Sequence, residues 1–200
     1  MMLNIITTLL DILFPPREGE LVVRTVTSLR IPTLYNPGAH QSIEYLSHYQ
    51  SPTVHALITE NKYYANRQAT ALLAQLLVLH LKNKDRRVLL PIPLHPKRER
   101  ERGYNQVTVV LQKSGHAIAK NIITRTKYTP PQTQLQKTER LENIKDAFTV
   151  NEEHLDKFKN THFILVDDVV TTGATMLAAR AALVPHLDPS CTLTCLALAH

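Results

Sequence analysis

The sequence predicts an α/β fold, in which helices cover both faces of a parallel β-sheet and a small appendage precedes it. Short apolar runs typical of buried strands alternate with amphipathic segments along the second half of the chain. The 200 residues are 44% hydrophobic and 20% charged, which excludes a disordered protein and is enough for one full core. No apolar run approaches the roughly 20 residues that cross a bilayer, so no membrane span is expected.

The first 38 residues are predicted to form the appendage, and residues 39–200 the main domain. Apolar residues at helical spacing up to Leu13 predict a short helix that Pro15 and Pro16 end, with core packing favoured over membrane contact. The segment lacks Lys and Arg and a cleavage site, so it is not expected to be a targeting signal. Partial alternation over residues 17–38 predicts a small strand-and-turn segment.

The main domain is predicted to open with two helices and to continue with alternating strands and helices. The opening helices are predicted over 42–49 and 64–81, the second with a broad leucine face. Strands are predicted over 88–92, 122–123, 163–166 and 192–199, and helices over 102–120 and 174–187. In a parallel sheet of this kind, ligands lie at the carboxyl ends of strands, here at Ile92 and Val166.

The net charge of +6 is concentrated in one stretch. Residues 82–102 hold eight basic and three acidic side chains, and eight minus three is +5. Such a stretch favours a polyanionic partner, either nucleic acid or a phosphorylated small molecule, with a solvated helix face as the alternative. Cys191 and Cys195 are too few for a disulfide framework or a four-thiolate zinc site, so we expect core thiols and a cytoplasmic setting.

The segment directly after the strand at 163–166 has the most specific functional pattern. It reads Asp167-Asp168-Val169-Val170-Thr171-Thr172-Gly173-Ala174-Thr175 and leads into an Ala-rich helix. A Thr–Gly turn at a helix N-terminus offers N–H groups, hydroxyls and the positive end of the helix dipole to a phosphate. Two carboxylates suit the vicinal hydroxyls of a ribose, or an Mg²⁺ carried by a phosphate-rich ligand. The pattern predicts a sugar 5-phosphate site, with simple helix capping as the alternative.

This segment resembles the phosphoribosyl-diphosphate (PRPP) signature of type I phosphoribosyltransferases. Two further stretches resemble the competence protein F (ComF) family. They are Leu90 to Arg98 with Arg100 to Gln106, and a downstream set of Arg125-Thr126-Lys127, Gln132, Gln134-Leu135, Glu139-Arg140, Asn143 and Phe148. The resemblance implies a type I phosphoribosyltransferase-like fold, binding of PRPP with Mg²⁺, and a role in natural competence and DNA uptake.

The resemblance also implies roles for individual residues. Asp167 and Asp168 would hold the ribose hydroxyls and contact Mg²⁺ that enters through PRPP. The 5-phosphate would lie on Thr171, Thr172, Gly173, Ala174 and Thr175. The implied diphosphate loop, Pro93 to Arg98, would contribute His95, Lys97 and Arg98. The segment from Arg125 to Asn143 would be a mobile lid, with Arg140 and Lys127 as the catalytic residues; its Gln/Thr/Pro-rich composition fits a lid.

One departure from the family pattern bears on partners. Many ComF-type proteins open with cysteine pairs that resemble a zinc module, whereas Arg17-Glu18-Gly19-Glu20 stands here, so no zinc site is expected. The alternative to a transferase is a catalytically silent single-stranded DNA-binding competence factor that uses the PRPP site as a regulatory pocket. Nucleic-acid contacts are predicted at Arg98, Arg100, Arg102 and Lys62, with few aromatic side chains to support them. Competence proteins and a second copy of the chain, in a homodimer, are the other expected partners.

Overall fold

The Leu- and Val-rich runs of the second half form the parallel strands of the sheet. Strands that are buried on both faces have continuous apolar sequences, as these runs do. The computed structural model describes residues 11, 13–82, 87–128 and 146–200. Within them, the predicted α/β fold is confirmed: six strands form one sheet in the order β1-β2-β8-β7-β3-β4, and helices pack on its two faces.

The elements are numbered along the described residues. The helices are α1 Glu18–Thr25, α2 Ile31–Leu34, α3 Pro52–Tyr64, α4 Arg67–Leu81, α5 Pro96–Arg102, α6 Gln106–Ser114, α7 Glu152–Leu155 and α8 Ala174–Leu183, with 3₁₀ turns at Ser28–Arg30 and Val184–His186. The strands are β1 Gly38–His40, β2 Ile43–Tyr45, β3 Arg87–Pro91, β4 Ala117–Ile118, β5 Ile123–Arg125, β6 Phe148–Val150, β7 His162–Val169 and β8 Thr192–Ala199.

Strand β7 lies at the centre of the sheet and pairs in parallel with β3 and β8. The register sets Pro91 beside Val166 and Val166 beside Leu196. The carboxyl ends of β3 and β7 therefore lie at the same edge of the sheet, and β7 continues beyond β3 to Val169. Strand β2 also runs parallel to β8, and β1 returns antiparallel to β2. Strands β5 and β6 form a separate antiparallel pair.

Alternation along β7 divides the interior into two cores. Ile164 and Val166 face the core formed with α1 to α4 and α6. Phe163 and Leu165 face the other core, formed with α8 and the β5–β6 pair. Each strand residue therefore buries its side chain on one face or the other, as the period of two requires.

The prediction of a strand-and-turn segment over residues 17–38 is wrong, because most of this segment is helical. Helices α1 and α2 bury Val23 and Ile31 in the core formed with α3 and α4. The β-branched residues mimic strand alternation, but Glu18 and Glu20 in the first turn of α1 favour a helix start. The helix predicted up to Leu13 lies mostly outside the described residues, and the domain boundary at residue 38 stays a prediction.

Three other element predictions needed correction. Residues 43–45 form β2, not a helix over 42–49, and they pair with β8. The helix predicted over 102–120 is interrupted by Gly103 and Gly115, both at positive φ, and continues into β4. The strand predicted at 122–123 is present as β5, outside the main sheet. Helix α3 was not predicted.

The strands predicted over 88–92, 163–166 and 192–199 and the helix over 64–81 are confirmed, with shifted ends. The helix predicted over 174–187 ends at Leu183 and continues as a 3₁₀ turn. Cys195 is buried and Cys191 half-buried, both as free thiols. Among the described residues, no helix combines the length and apolar character needed to cross a membrane.

Candidate functional site

The acidic pair, Asp167 and Asp168, lies within β7, which extends to Val169 and does not end at Val166 as predicted. The backbone N–H of Asp168 donates to Oδ1 of Asp167 at 2.8 Å. Beyond the strand, the N–H of Val170 bonds to the carbonyl of Ala199 at 2.9 Å. Strand β8 thus flanks the acidic pair, with Asp167 beside Ala197 in the register.

The carboxylate of Asp168 contacts three other groups of the protein. Its Oδ2 lies 2.6 Å from Nζ of Lys62 on α3 and accepts a hydrogen bond of 3.0 Å from Nε2 of Gln106 on α6. Its Oδ1 accepts the Val169 N–H at 2.8 Å. Its side chain is only 7% exposed, so this carboxylate is anchored by two helices and its own strand.

The two carboxyl groups differ in protonation. Burial raises the pKa of Asp167 to about 8, and the neighbouring Asp168 charge adds to the rise. Burial also opposes ionisation of Asp168, but the Lys62 ammonium outweighs it and holds the pKa of Asp168 below its ordinary value. The pKa of Lys62 is raised in turn: burial opposes the charged form, and the Asp168 charge overcomes it. Ionised Asp168 thus sits beside Asp167, which holds its proton up to about pH 8.

The loop Thr171–Thr175 forms a small cavity at the start of α8. Residues 169–176, together with Asp167, line about 110 Å³. Gly173 adopts φ +73°, and a Cβ there would lie 3.0 Å from Cδ1 of Ile43 on β2. Glycine therefore permits both the turn and its close approach to the sheet edge. The predicted residues Thr171, Thr172, Gly173, Ala174 and Thr175 lie together in this cavity with Asp167.

The loop Pro93–Arg98 follows β3, which is the neighbour of β7 in the sheet. The loop therefore begins at the strand next to the one that carries the acidic pair. Nδ1 of His95 accepts the Lys97 N–H at 3.2 Å and so caps α5. The ring of His95 contacts Tyr128 edge-on at 5.2 Å, and Nζ of Lys97 lies 4.8 Å from the centre of the same ring. The side-chain amide of Asn105 anchors the start of the loop, donating to the carbonyl of Ile92 at 2.9 Å.

Arg125, on β5, links this loop to the acidic pair electrostatically. Burial lowers its pKa; the Asp167 charge partly offsets this, and the Arg98 charge adds to the lowering. Arg125 also lines a cleft of about 310 Å³ with the Pro93–Pro96 turn. A half-buried cation between an acidic group and a basic loop is suited to bind an anion.

The predicted nucleic-acid residues differ in exposure and in their contacts. Arg100 is exposed on α5 and Arg98 is half-buried. Arg102 bonds to the side chain of Gln106 and lies 5.9 Å from the ring centre of Tyr63. Lys62 points to Asp168 and is 23% exposed. The geometry joins Lys62 to the acidic pair.

Of the two predicted catalytic residues, Lys127 is exposed just beyond β5 and Arg140 lies outside the described residues. The predictions did not include Gln106 or Arg125 among the site residues. Both occur in the stretches that carry the family resemblance, which was the available signal. Within the described part of the chain, no group of three or more His, Cys, Asp and Glu side chains could hold a metal ion.

Comparison with known proteins identifies relatives named as competence proteins and as a DNA utilization protein. Competence protein F of Haemophilus influenzae is 31% identical over 142 residues, which are 66% of this chain and 61% of that protein. DNA utilization protein YhgH of Salmonella typhi is 30% identical over 154 residues, covering 72% and 66%. Competence protein ComFC of Bacillus subtilis is 38% identical over 104 residues, covering 48% and 38%. The chain thus spans less than two thirds of each relative, and no protein-family model matches it.

Solved structures similar to this one include two adenine phosphoribosyltransferases. That of Leishmania tarentolae has a TM-score of 0.47 and 10% identity, covering 80% of this chain and 79% of that one. That of Thermoanaerobacter pseudethanolicus has a TM-score of 0.43 and 11% identity, covering 85% and 84%. Both TM-scores are below 0.5.

Proposed function

Since the chain belongs to the competence protein F (ComF) family, we propose that it is a phosphoribosyltransferase-like protein that binds PRPP and serves natural competence and DNA uptake in the cytoplasm. The relatives' names supply the connection with competence and DNA. The arrangement of Asp167 and the loop Thr171–Thr175 around one cavity supports the ligand.

That shared cavity is the observation that carries the proposal. The first N–H groups of α8 have no partner carbonyl within the helix. They can therefore donate hydrogen bonds to a 5-phosphate that lies on the loop. Asp167 lines the same cavity and would hold the ribose hydroxyls next to that phosphate. One ligand that carries a phosphate and a vicinal diol satisfies both.

The remaining residues would act on the diphosphate. In a transfer, the bond from ribose C1 to the diphosphate breaks, its electron pair leaves on the diphosphate, and the acceptor's electron pair forms the new bond. Lys97, Arg98 and Arg125 would stabilise the charge that develops on the diphosphate, as would Arg140 and Lys127. Mg²⁺, held by the ligand's own oxygens, would neutralise part of that charge.

Calorimetric titration of PRPP with Mg²⁺ into the purified chain tests this proposal. We expect saturable binding that Thr171→Val/Thr175→Val weakens at least about tenfold, because two hydroxyl donors are lost. Thr149→Val, at an exposed position of β6, is the matched control and should bind PRPP as the native chain does. Absence of binding by the native chain would remove the proposal.

A second candidate function, binding of single-stranded DNA, is favoured by the exposed end of α3. Tyr63 is 64% exposed and Tyr64 is 49% exposed, and both rings can stack on bases. The Arg102 guanidinium lies 5.9 Å from the first ring centre, and that of Arg17 lies 3.8 Å from the second. Exposed aromatic rings next to cations are typical of a sequence-tolerant binder of single strands.

Fluorescence anisotropy with a labelled oligothymidine at several salt concentrations tests this candidate. Binding should weaken steeply with salt, since cation release accompanies phosphate contacts. Tyr63→Leu/Tyr64→Leu should lower affinity by about tenfold or more at constant salt slope, whereas Leu29→Ala, at another exposed apolar position, should not. Equal affinity of the native chain and the tyrosine variant would exclude this surface.

A further inference from the structure

Lys62 reaches the acidic pair from a different layer of the fold. It belongs to α3, which packs on the sheet face opposite to α8, and its ammonium lies 2.6 Å from Oδ2 of Asp168. The same oxygen accepts the amide of Gln106, and the other oxygen accepts the N–H of Val169. A carboxylate with these three partners has little coordinating capacity left for an added cation.

The position of Lys62 is fixed by a buried network. Its neighbour Asn61 is 1% exposed and donates to the backbone carbonyl of Gln106 at 3.1 Å. The hydroxyl of Thr70 donates to Oδ1 of Asn61 at 2.8 Å, and that of Tyr104 donates to the carbonyl of Asn61 at 2.6 Å. These bonds hold the end of α3 against α6 and so hold the Lys62 ammonium on Asp168.

We propose that the Lys62 ammonium occupies the place that a divalent cation would take at the acidic pair, so that the pair binds sugar hydroxyls and not metal. This inference rests on the proposed binding of a phosphoribosyl ligand and specifies how that site selects it. Lys62 is a positioning residue: it pairs with the Asp168 carboxylate and leaves Asp167 as the member that lines the cavity. The acidic pair then recognises a diol, and metal arrives only with a ligand that carries its own diphosphate.

The first test uses the native chain and ribose 5-phosphate, which has the phosphate and the diol but no diphosphate. Calorimetric titrations in roughly 5 mM Mg²⁺ and in excess EDTA should give the same dissociation constant within about twofold. Affinity that falls tenfold or more in EDTA would overturn the inference, because the acidic pair would then use metal to hold the sugar. Because this comparison uses the native chain alone, a folding defect of a variant cannot affect it.

The second test creates the cation site that Lys62 prevents. Mn²⁺, whose free form gives a strong electron paramagnetic resonance signal, should not bind the native chain at the acidic pair. Lys62→Met should bind one Mn²⁺, and Lys62→Met/Asp167→Asn should lose it again. Lys62→Arg keeps a cation and is the matched control that should bind no Mn²⁺.

The outcomes separate this inference from the proposed function. Metal-independent binding of ribose 5-phosphate together with new Mn²⁺ binding in Lys62→Met supports both. Mn²⁺ binding by the native chain that Asp167→Asn removes overturns the inference but leaves PRPP binding standing. Failure of the native chain to bind either PRPP or ribose 5-phosphate removes the proposed function, and the inference with it.

Discussion

Gly173 illustrates how one residue joins the loop Thr171–Thr175 to the sheet edge. Its φ of +73° is a conformation that side chains with a Cβ adopt at a cost of about 1–2 kcal/mol. The space beside it is also filled, with Cδ1 of Ile43 3.0 Å and Oε1 of Gln41 3.3 Å from where a Cβ would lie. Backbone conformation and packing both require glycine here.

Gly173→Ala should therefore lower both stability and ligand affinity. We expect a loss of more than about 1–2 kcal/mol in the free energy of unfolding, measured by urea denaturation, because strain and contact add. PRPP affinity should fall at least about fivefold as the loop shifts. Gly103→Ala is the control: its φ is +84°, but a Cβ there would meet nothing within 4 Å. Equal losses in the two variants would show that the contact with Ile43 is unimportant.

The raised pKa of Asp167 predicts a pH dependence of stability. Its pKa is about 8 in the folded chain against 3.8 as the ordinary value, so the folded state holds this proton more tightly. The resulting stabilisation is complete below about pH 4 and is lost as the pH rises to about 8, at up to about 1.4 kcal/mol per pH unit. Asp168, whose pKa is lowered, stays ionised throughout this window.

Asp167→Asn should flatten that dependence, since the amide resembles the protonated acid and does not titrate. Urea denaturation of both chains at pH 5, 6, 7 and 8, values spanning roughly the window between the two pKa values, gives the difference curve. Contributions common to both chains cancel in the difference. The variant should gain stability relative to the native chain as the pH rises, and a constant difference would show that the pKa of Asp167 is ordinary.

At the scale of elements, Arg17 and Glu60 connect α1 to α3. Nη2 of Arg17 lies 2.8 Å from Oε2 of Glu60, and Nε donates to Oε1 at 3.1 Å. Glu60 is 1% exposed, and apart from Arg17 its carboxylate accepts a bond of 3.3 Å from Asn66. A buried carboxylate needs such a partner, and this pair fixes where α1 lies on α3.

Arg17→Gln should destabilise the fold by about 1–2 kcal/mol, less than for a fully buried pair because Arg17 is partly exposed. Thermal unfolding followed by circular dichroism measures the loss. Arg24→Gln removes an arginine of the same helix that pairs with the surface residues Asp11 and Glu20, and it should leave the transition unchanged. Similar losses in both variants would mean that general surface charge, and not the Glu60 contact, matters.

Element type followed from the sequence where apolar patterns were continuous. The apolar runs in β3, β7 and β8 and the leucine face of α4 fitted one element type each, since their apolar residues are continuous or recur at helical spacing. The alternation around Val23 and Val26 was misread, because β-branched residues at mixed spacing fit a strand as well as a helix, and packing decided the outcome. Strand β2 was missed because pairing with β8, and not local propensity, makes it a strand.

At the scale of the whole molecule, the predicted appendage shares a core with the sheet. Val23 and Leu34 belong to the same apolar cluster as Ile164 on β7 and Leu196 on β8. Segments that bury side chains in one core unfold together. We therefore expect one cooperative transition for the whole chain, although the sequence was divided at residue 38.

Val23→Ala tests this expectation. It should lower the free energy of global unfolding by about 2 kcal/mol, with coincident transitions by circular dichroism and tyrosine fluorescence. The chain has 7 Tyr and no Trp, so tyrosine reports on tertiary structure. Leu29→Ala, at an exposed position, is the control. A separate early transition in the Val23 variant would establish the appendage as an independent unit.

The candidate site was predictable only in part, for a reason that belongs to the whole fold. Asp167 to Thr175 are contiguous, so one strand–turn–helix pattern was enough to find them. The bond from Gln106 to Asp168 joins residues 62 positions apart, and Lys62 comes from still further away. No local pattern encodes such contacts, because the packing of α3 and α6 on the sheet creates them.

The two edges of the main sheet are short. Strand β1 has three residues and β4 has two, whereas the central strands β7 and β8 have eight each. A short edge offers few unpaired backbone groups on which the strand of another molecule could add. The long, apolar strands that would template aggregation lie inside the sheet, so the folded chain should remain dispersed at high concentration for as long as β1 and β4 stay paired.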